Sequence, residues 1–323
     1  MSGSICVSVI IPTYNEELYI NRCLETLENQ SFPSEKIEWL FADGGSSDNT
    51  VEIIKKSNLK NKRILQNKKQ LVTYAVNLGI KNAIGNYIIR MDAHASYERN
   101  YIEKCIYYLE NTDADNVGGI AKTVGKGFIG EANAEVLSSK FGVGNSQFRT
   151  SEKSGYVDTV PFGAFKREIF DKIGVFDPEL PRSEDNEFNS RIREMGGKVY
   201  LASDIRFTYY CRSTVRDLLW QAIQNGNALF LTLYKNPKAM KIRHYIPFFF
   251  VISLVAMPIL ANLFITFKWL FVFEISLYLL LDLYFSFLVG NIKFGFYKII
   301  MYPLFHIAYG IGSLLGLVKI KIY

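Results

Sequence analysis

Asn86-Tyr87-Ile88-Ile89-Arg90-Met91-Asp92-Ala93-His94-Ala95 is the stretch on which the reading of this chain turns. Its first half is apolar and β-branched, the pattern of a buried strand. Its second half sets Asp92 and His94 where the strand gives way to a loop. In open α/β sheets, ligands bind at the carboxyl ends of the strands. On an extended backbone, residues i and i+2 point the same way, so one carboxylate and one imidazole can meet at a point. That pair suits Mn2+ or a related divalent ion, which can hold the phosphates of a nucleotide and neutralise a leaving group. Alone, Asp-x-His is a weak motif, and Asp at a strand end is often only a helix cap. The rest of the chain adds to its weight.

Upstream, Ser8-Val9-Ile10-Ile11 reads as an apolar strand, followed by Pro12-Thr13-Tyr14-Asn15-Glu16. Proline lacks a backbone N–H, so Pro12 is expected to end the ladder. Asn15 is expected to cap a helix over 16–29, where Leu18, Ile20, Leu24 and Leu27 keep roughly helical spacing. A second strand, 37–42, runs into Asp43-Gly44-Gly45-Ser46-Ser47-Asp48-Asn49-Thr50, whose glycines allow a tight turn before a helix over 51–57. A short strand at 63–65 and a helix over 70–83 lead to the strand that ends at Asp92. Strands alternating with helices predict a parallel sheet. No GxGxxG follows the first strand and no GxxxxGK[ST] occurs, so neither a dinucleotide fold nor a P-loop is supported.

Downstream, 101–109 reads as a helix and 116–120 as a strand. The glycine-punctuated stretch 125–144 fits a helix with mobile ends covering the site. A short helix is expected at 168–173. In Arg182-Ser183-Glu184-Asp185-Asn186-Glu187, Ser183 is placed to cap a helix that runs to Met195 and stops at Gly196-Gly197. A last strand covers 199–202, and 215–233 is amphipathic.

The 323 residues carry 37 Lys+Arg against 31 Asp+Glu, a net charge of +6 without a dense basic block, so nucleic acid is not an expected partner. Four scattered cysteines with no CxxC pair read as reduced, packed thiols. The N-terminus lacks the basic and apolar regions of a signal peptide. Near Tyr245 the composition changes. Apolar runs at 246–267, 269–289 and 296–318 are each long enough to span a bilayer. Glu274, Asp282 and His306 inside them are read as structural hydrogen bonders, and Tyr245, Phe248, Phe249 and Phe250 as an interface anchor. Lys235, Lys238, Lys241 and Arg243 precede the first run and put the N-terminal domain in the cytoplasm by the positive-inside rule. Lys293 and Lys298 agree with that topology, while Lys319 and Lys321 disagree. The expected division is 1–210 catalytic, 211–244 juxtamembrane and 245–323 membrane, with about three transmembrane helices.

Ser8-Val-Ile-Ile-Pro-Thr-Tyr-Asn-Glu, Asp43-Gly-Gly-Ser-Ser-Asp-Asn-Thr, the Asp92-x-His94 motif and Glu184-Asp185 together resemble an inverting family 2 glycosyltransferase. The resemblance covers roughly residues 6–205. Arg90-Met-Asp-Ala-His-Ala, with Tyr97 and Tyr101 after it, resembles the succinoglycan-type bacterial polysaccharide glucosyltransferases, which also carry C-terminal membrane helices. The resemblance implies a GT-A fold, Rossmann-like with a mostly parallel sheet, followed by a membrane bundle. It implies a metal-dependent hexosyltransferase that uses Mn2+ or Mg2+. A single sugar, glucose in that subgroup, would pass from a UDP-sugar to a polyprenyl-diphosphate-linked saccharide. The product would feed exopolysaccharide or capsule synthesis at the inner face of the cell (inner) membrane.

Residue by residue, the resemblance makes Pro12, Thr13, Tyr14 and Glu16 the lining of the nucleotide pocket. Asp43 would contact the uracil or ribose, and Asp48 would shape the same loop. Asp92 would hold the ribose or the metal, and His94 would be the metal ligand. Glu184-Asp185 would be the acidic pair ahead of the acceptor helix, with Asp185 the general base. Two departures stand out. The processive synthases' Gln-x-x-Arg-Trp motif is missing, the nearest run being Trp220-Gln221-Ala-Ile-Gln-Asn-Gly-Asn, which favours single sugar addition. The metal motif also lacks its second carboxylate. A polyprenyl-phosphate sugar synthase and a non-catalytic membrane scaffold remain as alternatives.

Overall fold

The computed structural model describes residues 5–320, so the Lys321 of the topology argument lies outside the described residues. The chain folds as two units, one of residues up to 122 plus 151–210, the other of 123–150 plus the chain from 211 onward.

The first unit opens with β1 (Val7–Thr13), α1 (Glu17–Glu28), β2 (Ile37–Asp43), α2 (Thr50–Lys56), β3 (Lys62–Gln66), α3 (Val72–Asn82) and β4 (Tyr87–Arg90). β5 (Ala95–Tyr97), α4 (Tyr101–Asn111) and β6 (Asn116–Val124) follow. After the excursion α5 (Gly127–Ser138), α6 (Lys140–Val143) and α7 (Gln147–Thr150), the chain returns as β7 (Gly155–Tyr156), β8 (Ala164–Lys166), α8 (Glu168–Ile173), α9 (Glu184–Glu194) and β9 (Val199–Tyr210).

The sheet order is β3-β2-β1-β4-β8-β6-β9-β5, with β7 on β9. The first four strands pair in parallel, as the βαβ series predicts. Beyond β4 the sheet turns antiparallel, through β4–β8, β6–β8 and β5–β9. The result is a mixed α/β sheet rather than a mostly parallel one. β5, β7 and β8, two or three residues each, are too short to carry a period of two and escape sequence reading. β1 and β2 are buried along nearly their whole length, as parallel strands covered on both faces must be. Even the buried Glu38 on β2 is paired, accepting from Ser8 Oγ at 2.5 Å and from the Ile84 amide at 2.6 Å.

Pro12 does not end β1, which continues to Thr13 in register with Asp43. The Ile10 carbonyl accepts from Met91 on the β4 side, and alternation turns Pro12 to that same side, where β4 has already stopped. No ladder amide is needed there. Asn15 does not cap α1. Its backbone is left-handed, at φ 53°, and its Oδ1 accepts from the Ser47 amide at 2.8 Å. The cap comes from Asp48, whose Oδ2 accepts from the Glu17 amide at 3.1 Å while Oδ1 accepts from the Thr50 amide at 3.0 Å. Ser183 likewise makes no side-chain cap to α9 and sits left-handed at φ 64°.

In the second unit α10 (Val215–Lys235), α11 (Ile242–Ala261), α12 (Ile265–Phe287) and α13 (Gly295–Ile320) pack with α5, α6 and α7. The last three, α13 counted from Ile292, are long and apolar enough to cross a membrane. The first apolar run, 246–267, spans a break: α11 ends at Ala261 and α12 starts at Ile265. The stretch 125–144 forms two helices, α5 and α6, broken at Ser139, rather than the single helix expected, and belongs to this unit. Gly226, Gly312 and Gly316 let α10 and α13 touch through backbone: an added Cβ would meet the carbonyls of Tyr309, Ile223 and Asn227 at 2.0–2.3 Å. Phe248 packs into a helical core with Leu229 and Met240 instead of anchoring an interface. Glu274 accepts from Ser253 at 2.6 Å, Asp282 from Ser286 at 3.0 Å, and His306 Nδ1 lies 2.9 Å from the Tyr278 hydroxyl. The cysteines are unpaired, three of them buried.

Candidate active site

β2 and β3 lie on one side of β1 and β4 on the other, so strand order reverses between β1 and β4. A crevice outside the carboxyl ends of the strands is expected at such a switch point. The segment after β1 supplies Glu16, and the turn after β4 supplies Asp92 and His94. They meet: His94 Nδ1 lies 3.2 Å from Glu16 Oε1, and His94 Nε2 lies 3.8 Å from Asp92 Oδ2. Asp92 and His94 converge through a turn rather than along an extended strand, since β4 stops at Arg90. Tyr97 fastens that turn. Its hydroxyl accepts from the Asp92 amide at 2.6 Å and donates to the Asp92 carbonyl at 3.3 Å.

Glu184 and Asp185 open α9. An aromatic group holds this helix: Phe188 stacks on Phe176 with centroids 4.3 Å apart and also meets Phe165 and Phe170. Asn189 donates to Thr159 Oγ1 at 2.9 Å. Ser183, just ahead of the pair, is a non-glycine residue in the left-handed region, a strain of about 1–3 kcal/mol of the kind found at working sites.

Arg90 joins the acidic clusters. Its Nη1 reaches Asp185 Oδ1 at 2.8 Å and Glu184 Oε1 at 2.9 Å, and its Nη2 lies 3.7 Å from Asp92 Oδ1. One buried guanidinium thus serves three carboxylates, 95 positions separating it from Asp185. Its Nε is buried with no hydrogen-bond partner. Burial pushes the Asp185 carboxyl up to about 7; Glu184 and Asp92 push the same way, and Arg90 pulls against them. The three acids hold Arg90 firmly charged despite its burial. The Asp185 side chain is 22% exposed, so a substrate hydroxyl can reach it.

The nucleotide-pocket residues divide. Asp43 is spent on its own loop and the end of β1: Thr13 Oγ1 donates to Oδ1 at 3.2 Å, Ser46 Oγ to Oδ1 at 2.6 Å, and the Gly45 and Ser46 amides to Oδ2 at 2.9 Å each. Tyr14 lies over Gly44 and is 48% exposed, open to a planar ligand, while Thr13 is buried and Pro12 half-buried. The Glu16 side chain turns to His94, while its amide donates to Thr50 Oγ1 at 2.7 Å at the end of the Asp43 loop.

Asp92 and His94 could hold a divalent ion. Among the described residues no group of three or more His, Cys, Asp or Glu side chains is assembled for a metal; Asp92 and His94 would supply two donors. Such a site fits an ion that takes its other ligands from phosphate and water. The Glu16 carboxylate lies against Nδ1 at 3.2 Å, the position from which an outer partner orients a metal-binding imidazole. Sequence reasoning missed Arg90 as a shared cation and Glu16 as the histidine's partner. Arg90 was in plain view beside Asp92, but its partners on α9 come only with the fold.

Residues 8–174 match the sequence model of Glycosyl transferase family 2. The chain belongs to this family. It is 34% identical over 239 residues, 71% of this chain and 74% of the relative, to a dolichyl N-acetyl-alpha-D-glucosaminyl phosphate 3-beta-D-2,3-diacetamido-2,3-dideoxy-beta-D-glucuronosyltransferase of Methanococcus voltae. It is 28% identical over 243 residues, 74% of this chain and 73% of the relative, to the succinoglycan biosynthesis protein ExoA of Rhizobium meliloti. Among solved structures, this glycosyltransferase superposes on the mannosyltransferase PcManGT from Pyrobaculum calidifontis, in complex with GDP-Man and Mn2+, with a TM-score of 0.66 and 18% identity over 97% of this chain and 88% of that one. That likeness speaks for the GT-A fold.

Proposed function

We propose that this family 2 glycosyltransferase moves one sugar, with inversion, from a UDP-sugar to a polyprenyl-diphosphate-linked saccharide on the cytoplasmic side of a cell membrane. Glucose is the donor sugar implied by the sequence resemblance to the succinoglycan-type glucosyltransferases. The observation that carries the reading is the single cluster in which Arg90 ties Asp185 and Glu184 to Asp92, with His94 against the other oxygen of Asp92. Inverting transfer needs a base on one side of the sugar and an electrophilic clamp on the other. The three apolar helices fit an acceptor whose tail lies in a bilayer.

In this mechanism Asp185 accepts the proton of the acceptor hydroxyl as its oxygen bonds to C1 of the donor. The bond from C1 to the diphosphate oxygen breaks, and the nucleoside diphosphate leaves with the electron pair. Asp92 and His94 would hold a divalent ion, which when bound would supply positive charge for the pyrophosphate. Glu16 orients the imidazole from its Nδ1 side. Arg90 is a positioning residue: it opposes the burial of Asp185 and keeps enough of that carboxyl ionised near neutral pH.

The test is a donor screen on membranes containing the full chain. Nucleotide release is measured for several UDP-sugars, with and without Mn2+, with lipid extract as acceptor. Release that needs one UDP-sugar, the ion and the extract together is expected. If UDP with Mn2+ neither binds nor raises the melting temperature, a non-catalytic scaffold takes the place of this reading.

A further inference from the structure

The second unit encloses a cavity of about 970 Å3 that the transfer chemistry above does not use. That is at the upper end for small-ligand pockets, which run to about 1,000 Å3. α11 and α12 form its long walls and run antiparallel, with Phe250 stacked on Tyr278 at 4.6 Å and Ser253 bonded to Glu274. The α11 wall extends from Arg243 to Met257, roughly 21 Å at the helical rise of about 1.5 Å per residue.

The two ends differ in chemistry. Arg243 begins the α11 wall and packs its side chain against Gly144; Lys140, Arg149 and the amides of Gln221 and Asn225 on α10 also line the cavity, and Arg149 Nη1 donates to Thr123 Oγ1 at 3.1 Å. Met257 and Leu270 line the opposite end, which is apolar. The sole acid in the lining is Glu274, part-way along. Glu274 already accepts from Ser253, and the cationic side chains of the lining are Lys140, Arg149 and Arg243, so a negatively charged head group finds its partners there. Basic pockets at the ends of membrane helices are where phosphate head groups of lipids bind. The walls are also open outward: Ile246, Phe249, Leu270 and Phe273 line the cavity while being 47–66% exposed. A chain can therefore reach the cavity from the bilayer along the exposed side chains of α11 and α12.

We infer that this cavity binds the phosphorylated polyisoprenoid part of the acceptor, its phosphate among Lys140, Arg149 and Arg243 and its first isoprene units against the α11 and α12 walls. The inference rests on the proposal that the acceptor is lipid-linked. It adds the site, the orientation and the residues that select a phosphate on a long apolar chain.

The experiment uses the full chain in lipid nanodiscs and a polyprenyl phosphate that carries a photoreactive diazirine in its proximal isoprene units. Cross-links are mapped by peptide mass spectrometry. They are expected in 243–257 of α11 and 270–281 of α12, and excess undecaprenyl phosphate should abolish them. Phosphatidylglycerol and inorganic phosphate at the same concentrations should leave them. The double variant R149Q/R243Q should need at least tenfold more undecaprenyl phosphate for the same competition. Leu277→Trp, which fills the cavity from a half-exposed position, should lower labelling severalfold. The thermal shift produced by UDP with Mn2+ should be unchanged in each variant, which certifies folding. Equal competition by phosphatidylglycerol would mean a groove for any membrane lipid. Competition by inorganic phosphate alone would mean a soluble-anion site. Cross-links on other helices would place the chain elsewhere. Any of these overturns the inference, and the wild-type map decides even if a variant misfolds. The transferase reading fails separately, through loss of the UDP response.

Discussion

Two aspartates at the carboxyl edge of the same sheet have opposite circumstances. Asp43 receives four donors from its own neighbourhood, two hydroxyls and two amides, all within 3.2 Å. Asp185 has a share in one guanidinium, with Glu184 and Asp92 as rivals, and burial works against its charge. A carboxylate saturated by local donors is part of the scaffold. One that is crowded by like charge and poorly solvated is poised to take a proton. Both lie in Asp-containing motifs that look equally acidic as text, and only the surroundings separate them.

Four substitutions test this contrast, taken from the largest expected effect to the smallest. Asp185→Asn should lower kcat by about 10²–10⁴-fold, the usual worth of general base catalysis, with UDP binding intact. Near-normal turnover would instead favour an acceptor that is already an anion, as in a polyprenyl-phosphate sugar synthase. Glu16→Gln should weaken Mn2+ affinity by about 10–100-fold, as loss of an outer-sphere carboxylate does, read by titrating the ion against UDP binding.

Arg90→Gln should change the pH profile. Asp185 works ionised, so the rate of the native enzyme should climb as pH rises through about 7. Removing the cation that opposes burial moves the rise to higher pH. On the acid side, each unit of displacement costs up to about tenfold in rate, recoverable in alkaline buffer. A profile that stays in place while the plateau drops would show that Arg90 acts on something other than the base. Asp43→Asn should affect activity least and stability most. Losing a multiply bonded carboxylate costs about 1–3 kcal/mol, seen as a lower melting temperature with the remaining folded enzyme still active. Dead but fully stable Asp43→Asn protein would erase the contrast.

The sequence made β1, β2, β4 and their helices legible because long apolar runs and helical spacing belong to single segments. It also picked out Asp92, His94 and Asp185 as residues to watch. The antiparallel half of the sheet was not readable, since three-residue strands such as Ala95–Tyr97 carry no period. Local rules misfired where the backbone turns left-handed: Asn15 and Ser183 have cap-forming side chains but cap neither α1 nor α9, and the α1 cap comes from Asp48 instead. Arg90 stood in the text as one more basic residue. Its meaning depends on α9, which aromatic packing around Phe188 brings to it.

Asp48 has a consequence of its own. Its two oxygens start α1 and α2 together, and the Glu17 side chain answers by accepting from Asn49 Nδ2 at 2.7 Å. The loops after β1 and β2 are therefore riveted into one rigid piece. Whatever disturbs Tyr14 should be felt at Ser46, and amide hydrogens in both loops should exchange in step.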